Sequence, residues 1–83
     1  MYTRTIESEL LEFLAREVFA PDVPLTPETN LVASGFDSMS LVRVLLFIEG
    51  RYGFWIPESE ITTKSLQDAR SLAALVTRMQ HDS

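Results

Sequence analysis

The chain contains no cysteine. Disulfides and thiolate metal sites are thereby excluded, and any thiol chemistry has to be imported on a cofactor. Histidine is almost as scarce: His81 is the only one, in a tail (Gln80 to Ser83) expected to fray. One histidine and scattered carboxylates assemble neither a zinc site nor a Ser-His-Asp set. No apolar run approaches the ~18 residues of a membrane span. The opening Met1-Tyr2-Thr3-Arg4-Thr5-Ile6-Glu7 lacks an apolar core of signal-peptide length, so the cytoplasm is the expected location. Basic residues are outnumbered, 7 against 12 acidic, for a formal net charge of −5. That argues against nucleic acid, whose phosphates demand a basic surface.

What remains is apolar and helical. Eighty-three residues with 46% hydrophobic content make a single domain over 1–83, and a monomer is expected. A chain of this size buries roughly 60–65% of its unfolded surface. Ile6, Leu10, Phe13, Leu14 and Val18 recur at helical spacing, which predicts a first helix from Thr5 to Val18. Thr3 or Thr5 suits its cap, and Glu7 and Glu9 suit the positive end of its dipole. Pro21, Pro24, Pro27 and Gly35 then make Ala20 to Phe36 a long connection. Val23, Leu25, Leu31 and Val32 are its expected anchors on the core.

A second helix is expected from Ser38 to Arg51 or Tyr52, with Asp37 as N-cap and Gly50 and Gly53 weakening its end. Pro57 suits the first position of a short third helix reaching Thr62. Ser65-Leu66-Gln67-Asp68 resembles a capping box opening a last helix, whose buried stripe is Leu66, Ala69, Leu72, Ala73, Val76 and Met79. No strand alternation persists and no repeat occurs. The fold expected is all-α, three longer helices and one short in a small four-helix bundle. Its core is Leu10, Phe13, Leu14, Leu31, Leu41, Leu45, Ile48, Ile56, Leu72 and Val76.

The second helix is more apolar than a core face requires. Leu41, Val44, Leu45, Ile48 and Tyr52 complete one face. At about 100° per residue, Met39, Val42 and Leu46 line up as a second stripe with Phe47 at its flank. Either the long loop or the third helix covers this stripe, or it is an exposed strip for docking partners.

The strip begins beside the one segment that offers chemistry, Gly35-Phe36-Asp37-Ser38-Met39. The first amides of a helix lack partners and carry the positive end of its dipole. A phosphate ester on Ser38 would sit comfortably in that field. The bland reading of Ser34, Ser38 and Ser40 is a cap or a solvated hydroxyl.

The run Gly35-x-Asp37-Ser38-Met39, with Leu31 before it, Tyr52-Gly53-x-x-Ile56-Pro57 after it and Ser65-Leu66-Gln67-Asp68 beyond, resembles the acyl carrier protein family. The resemblance spans approximately Ile6 to Met79. It implies that Ser38 receives a 4′-phosphopantetheine arm from coenzyme A through a phosphopantetheinyl transferase. The arm's thiol would hold an acyl or aminoacyl group as a thioester, passed from a loading ligase or acyltransferase to a downstream synthase or transferase. Asp37 would help orient the transferase's metal-bound coenzyme A, and Met39 would fill a recognition position where leucine is usual. Val42, Arg43, Leu46 and Phe47 are the expected docking face.

Fatty-acid carriers have a richly acidic second helix, whereas this one holds Arg43 and Arg51, with Glu49 its only acid after Asp37. Ser34 stands where those carriers favour leucine, Phe36 is bulky beside the serine, and Trp55 is unusual before the Ile-Pro step. These departures point to a specialised freestanding carrier, serving fatty-acid-like, polyketide or other secondary-metabolite synthesis. The alternative is an aminoacyl or peptidyl carrier loaded by an adenylating ligase, although peptide-synthetase carriers are not matched cleanly. Two further readings stay open on the residues alone. One is a helical interaction module without a prosthetic group; the other is a hydrolase using Ser38, for which no base is in sight.

Overall fold

The first helix begins where its capping chemistry allows. In a computed structural model, which describes residues 5–82, Thr5 accepts a hydrogen bond from the Ser8 amide at 3.0 Å while its own amide donates to Ser8 Oγ at 3.1 Å. This reciprocal box opens α1, Ile6–Phe13, with Glu7 and Glu9 in the first turn. Thr3, the other candidate cap, lies outside the described residues.

The helix does not end at Phe13 but widens into a π turn, Leu14–Val18, closed by the Phe19 amide donating to the Leu14 carbonyl at 2.9 Å. Such wide turns leave carbonyls without regular partners. Here the Arg43 guanidinium donates to the Glu17 carbonyl at 3.2 Å. Leu10 and Leu14 are fully buried, and the turn delivers Phe19 into the core beyond them.

Helix α2, Ser38–Tyr52, starts at the Asp37 cap and stops at Gly53, whose φ of +83° is readily adopted only by glycine. Val44, Leu45 and Ile48 form its buried face, with Leu41 and Tyr52 partly buried beside them. Glu9 ties this helix to α1: it is ion-paired with Arg51 and accepts the Tyr52 hydroxyl at 2.6 Å. Glu9 raises the Arg51 pKa further above its ordinary value, chiefly through the hydrogen bond and then through its charge.

The expected short third helix is a single 3-10 turn, Glu58–Glu60. Pro57 is extended (ψ 145°) and caps this turn from outside, and Ile61 is extended again, so nothing propagates toward Thr62. Arg78 holds the turn to the last helix through Glu60 at 3.0 Å.

That last helix, α3, runs Ala69–Asp82 and begins three residues later than the Ser65 capping box predicts. The loop contacts explain the shift. Ser65 donates its amide to Thr62 Oγ1, and the Gln67 carbonyl is taken by the Leu31 amide at 2.9 Å. Asp68 caps instead, accepting the Ser71 amide at 2.8 Å. At the other end the helix continues through Gln80 and His81 to Asp82, where fraying was expected.

Helix α3 packs against α1. The core is Leu10, Leu14, Phe19, Leu31, Phe36, Val44, Leu45, Ile48, Ile56, Ala69, Leu72, Ala73, Leu75 and Val76. Phe13 and Leu41, expected inside it, are only partly buried. Val32 is not an anchor of the long loop, since it stands in solvent. Among the described residues the fold is all-helical: three α-helices, one π turn, one 3-10 turn and no strand.

Candidate functional site

The turn before α2 is built by two apolar plugs with a glycine between them. Leu31 is fully buried and Phe36 nearly so, its ring 6.5 Å from that of Phe19. The Phe36 amide donates to the Leu31 carbonyl at 2.9 Å, and the Gly35 amide to that of Val32 at 3.1 Å. Closing so tight a turn takes Gly35 to φ +114°, a region that L side chains avoid. Phe36, bulky in the sequence, therefore faces inward and leaves the next residues to solvent.

Asp37 is extended, and its Oδ1 accepts both the Ser40 amide at 2.9 Å and the Ser40 hydroxyl at 3.0 Å. Those two bonds, the backbone one first, hold the Asp37 carboxyl below its ordinary value of 3.8. Ser40 is thus a buried part of the cap, a role the spacing of Asp37 and Ser40 could have signalled. Ser38 is the first helical residue and is exposed, with no hydrogen bond to its hydroxyl among the described residues. Its geometry is that of a hydroxyl presented at a helix start, reachable from outside and flanked by one fixed carboxylate. No acid follows in the first turn of α2, so its positive end is not neutralised by a side chain beyond the cap.

The second stripe of α2 is uncovered. Met39 is 67%, Val42 47% and Leu46 55% exposed, so neither the loop nor the 3-10 turn lies over them. Arg43 is exposed between them, although its guanidinium also braces the end of the π turn. Phe47 does not belong to this surface. It is partly buried, stacked on Phe13 with ring centroids 4.3 Å apart and edge-on to Tyr52 at 6.2 Å. Its position at the flank of the stripe carried it round toward α1, where an aromatic partner waited.

His81 is exposed in the last turn of α3. No group of His, Asp or Glu that could hold a metal is present among the described residues. No helix among them is long and apolar enough to cross a membrane.

The residues around Ser38 suit a bulky phosphodiester. The hydroxyl is free and exposed, the helix start is electropositive, and the buried neighbours are already satisfied. Residues 8–79 match the family described as Phosphopantetheine attachment site. Over 68 residues the chain is 38% identical to aminoacyl carrier protein 1 of Bradyrhizobium diazoefficiens, covering 81% of this chain and 73% of that protein.

Two solved complexes of a Bradyrhizobium japonicum glycine:[carrier protein] ligase also contain a chain similar to this one. In the complex with glycylated carrier protein the TM-score is 0.64 at 31% identity, over 84% of this chain and 92% of the other. In the complex with cognate carrier protein and an analogue of glycyl adenylate it is 0.67 at 32% identity, over 88% and 92%.

Proposed function

The chain belongs to the phosphopantetheine attachment-site family, and from that membership we propose that Ser38 is the attachment point and that the cargo is an aminoacyl group. As a member it is a non-catalytic carrier with covalently attached 4′-phosphopantetheine. The group supplies a thiol on a flexible tether, the one function this cysteine-free chain lacks. The chain's own residues do the positioning. Gly35 and the two buried plugs fix where the turn emerges, and Asp37 locks the first turn of α2 through Ser40. Asp37, held ionised, also offers a carboxylate to the transferase's metal-bound coenzyme A. Met39 marks the serine for recognition.

The observation that carries the reading is the isolation of Ser38. It is an exposed hydroxyl at the start of α2, while Ser40 two residues on is buried in the cap. The aminoacyl cargo is supported by the likeness to an aminoacyl carrier protein and to the chains complexed with a glycine ligase. The charge of α2 supports it too, since Arg43 and Arg51 replace the row of acids expected of a fatty-acid carrier. Loading would come from a separate adenylating ligase, and release to a downstream transferase, in the cytoplasm. Met39, Val42, Leu46 and Arg43 form the docking face for these partners; Phe47 is left out of it. Acyl cargo for fatty-acid-like or polyketide synthesis is the second reading, and it shares every feature of the Ser38 site.

The test is incubation with coenzyme A and a promiscuous phosphopantetheinyl transferase, followed by intact mass. One phosphopantetheine should be gained, lost in Ser38→Ala and kept in Ser40→Ala. The loaded carrier is then offered to an aminoacyl ligase with ATP and glycine, and separately to an acyl-loading enzyme. Acylation without aminoacylation would overturn the cargo assignment, and a modified Ser38→Ala chain would overturn the site.

A further inference from the structure

A groove of about 700 Å³ opens beside the turn that leads to Ser38, away from the apolar stripe of α2. Its walls are Asn30, Val32 and Ala33 from the long loop and Thr63, Lys64 and Gln67 from the segment before α3. The walls are pinned together underneath, where the Leu31 amide donates to the Gln67 carbonyl at 2.9 Å and Leu31 is fully buried. Its volume lies within the range of small-molecule sites, about 300–1,000 Å³.

The lining has a definite chemistry. Val32 is 61% exposed, an apolar side chain left in water beside the Ala33 methyl. The remaining lining residues, Asn30, Thr63, Lys64 and Gln67, are all polar. Asn30 Oδ1 is taken by the Ala33 amide at 2.9 Å, which leaves its NH₂ to donate. No carboxylate lines the groove. Such a surface suits an uncharged chain that alternates branched methyl groups with amides. The Met39, Val42 and Leu46 strip offers hydrocarbon and thioether alone, with nothing to pair an amide.

We propose that this groove is where the chain's own 4′-phosphopantetheine arm rests between enzymes. The inference rests on Ser38 as the attachment point. The arm's paired methyls then meet Val32 and Ala33, its amides meet Asn30, Gln67 and Thr63, and its thiol end lies toward Lys64. Reach is sufficient. Phe36 is hydrogen-bonded back to Leu31, and Ser38 is two residues further, about 7 Å of extended backbone. The arm has as many chain bonds as four to five residues, hence roughly 16 Å when extended. Affinity need only be weak, because a short flexible tether supplies an effective concentration of about millimolar. A contact of millimolar strength is then populated about half the time, and the arm stays available to partners.

The experiment compares amide chemical shifts of the isotope-labelled apo and phosphopantetheinylated chains, after intact mass has shown the arm in place. Shifts are expected at Val32, Ala33, Thr63 and Gln67, in addition to those next to Ser38. In Val32→Asp, a change at a solvent-exposed position, the arm-induced shifts at Thr63 and Gln67 should disappear while those at Met39 and Ser40 remain. Perturbations confined to residues 36–42, or unchanged by Val32→Asp, overturn the resting site and leave the carrier reading standing. A chain that refuses the arm at Ser38, seen in the mass spectrum, overturns both.

Discussion

Replacing Gly35 by alanine isolates the backbone geometry that aims Ser38. Gly35 sits at φ +114°, yet a Cβ built there would meet no heavy atom within 4 Å. The cost is therefore torsional, without a clash. Strain of this kind runs to about 1–3 kcal/mol, offset by about 0.4–1 kcal/mol because alanine narrows the unfolded ensemble. A net loss of about 1–2 kcal/mol follows from those two effects. Gly50 is the internal control. It lies inside α2 with equally open space around its Cβ and no positive φ. Alanine there should add about 0.5–1 kcal/mol.

Unfolding entropy of about 2.1 cal/mol/K per residue gives roughly 0.17 kcal/mol/K for this chain. Gly35→Ala should thus melt about 6–12 °C lower and Gly50→Ala about 3–6 °C higher by far-ultraviolet circular dichroism. At a temperature where both are folded, Gly35→Ala should also take up phosphopantetheine several-fold more slowly. A Gly35→Ala chain that melts with the parent would refute the strain argument. Normal uptake by a destabilised chain would separate the turn's geometry from the reactivity of Ser38.

Leu46 and Phe47 are neighbours that should behave oppositely. Leu46→Asp is expected to stay within about 0.5 kcal/mol of the parent in urea unfolding but to lose about tenfold in kcat/KM with the loading ligase. Phe47→Ala, removing a partly buried stacked ring, should cost about 1–3 kcal/mol and leave the kinetics of the folded chain unchanged. A stability loss for Leu46→Asp would mean that the stripe is covered. Asp37 makes a prediction on pH. Its folded pKa lies below the unfolded value, so its contribution is whole above the ordinary 3.8 and is lost as pH falls through the folded value. Asp37→Asn keeps an oxygen for Ser40 but does not titrate; its urea midpoint should fall less than the parent's from about pH 5 to about pH 2. Parallel falls would remove Asp37 from the acid response.

Elements whose apolar spacing is driven by the core were legible before any coordinates. Helix α2 begins at Ser38 and ends at Tyr52 as its pattern required, because cap, stripe and terminating glycine all agree. The start of α3 was not legible, because Ser65 and Asp68 are both good caps and local sequence cannot choose between them. A long-range bond, Leu31 to the Gln67 carbonyl, made the choice. The same limit hid the short helix. Pro57 is compatible with a first helical position and with an extended residue, and only the surrounding packing selects the second. The burial of Phe36 was not legible for a related reason. Periodicity gives no face to a residue in a turn, so its burial against Phe19 depended on the π turn that carries Phe19 inward.

The candidate site was legible because its residues conflict with the needs of folding. A core-facing helix needs one apolar face, and α2 satisfies that with Val44, Leu45 and Ile48. Met39, Val42 and Leu46 add nothing to that core, and exposed hydrocarbon of this kind favours association. Ser38 is likewise unnecessary to the cap, which Asp37 and Ser40 complete between them. Substituting Ser38 by alanine should therefore leave stability almost unchanged while abolishing modification. Val32 on the loop obeys the same logic: its neighbour Leu31 does the anchoring, and the exposed valine is left over. Val32, Ser38 and Met39, which folding does not explain, flank the tight turn at Gly35, while Val42 and Leu46 continue the uncovered stripe along α2.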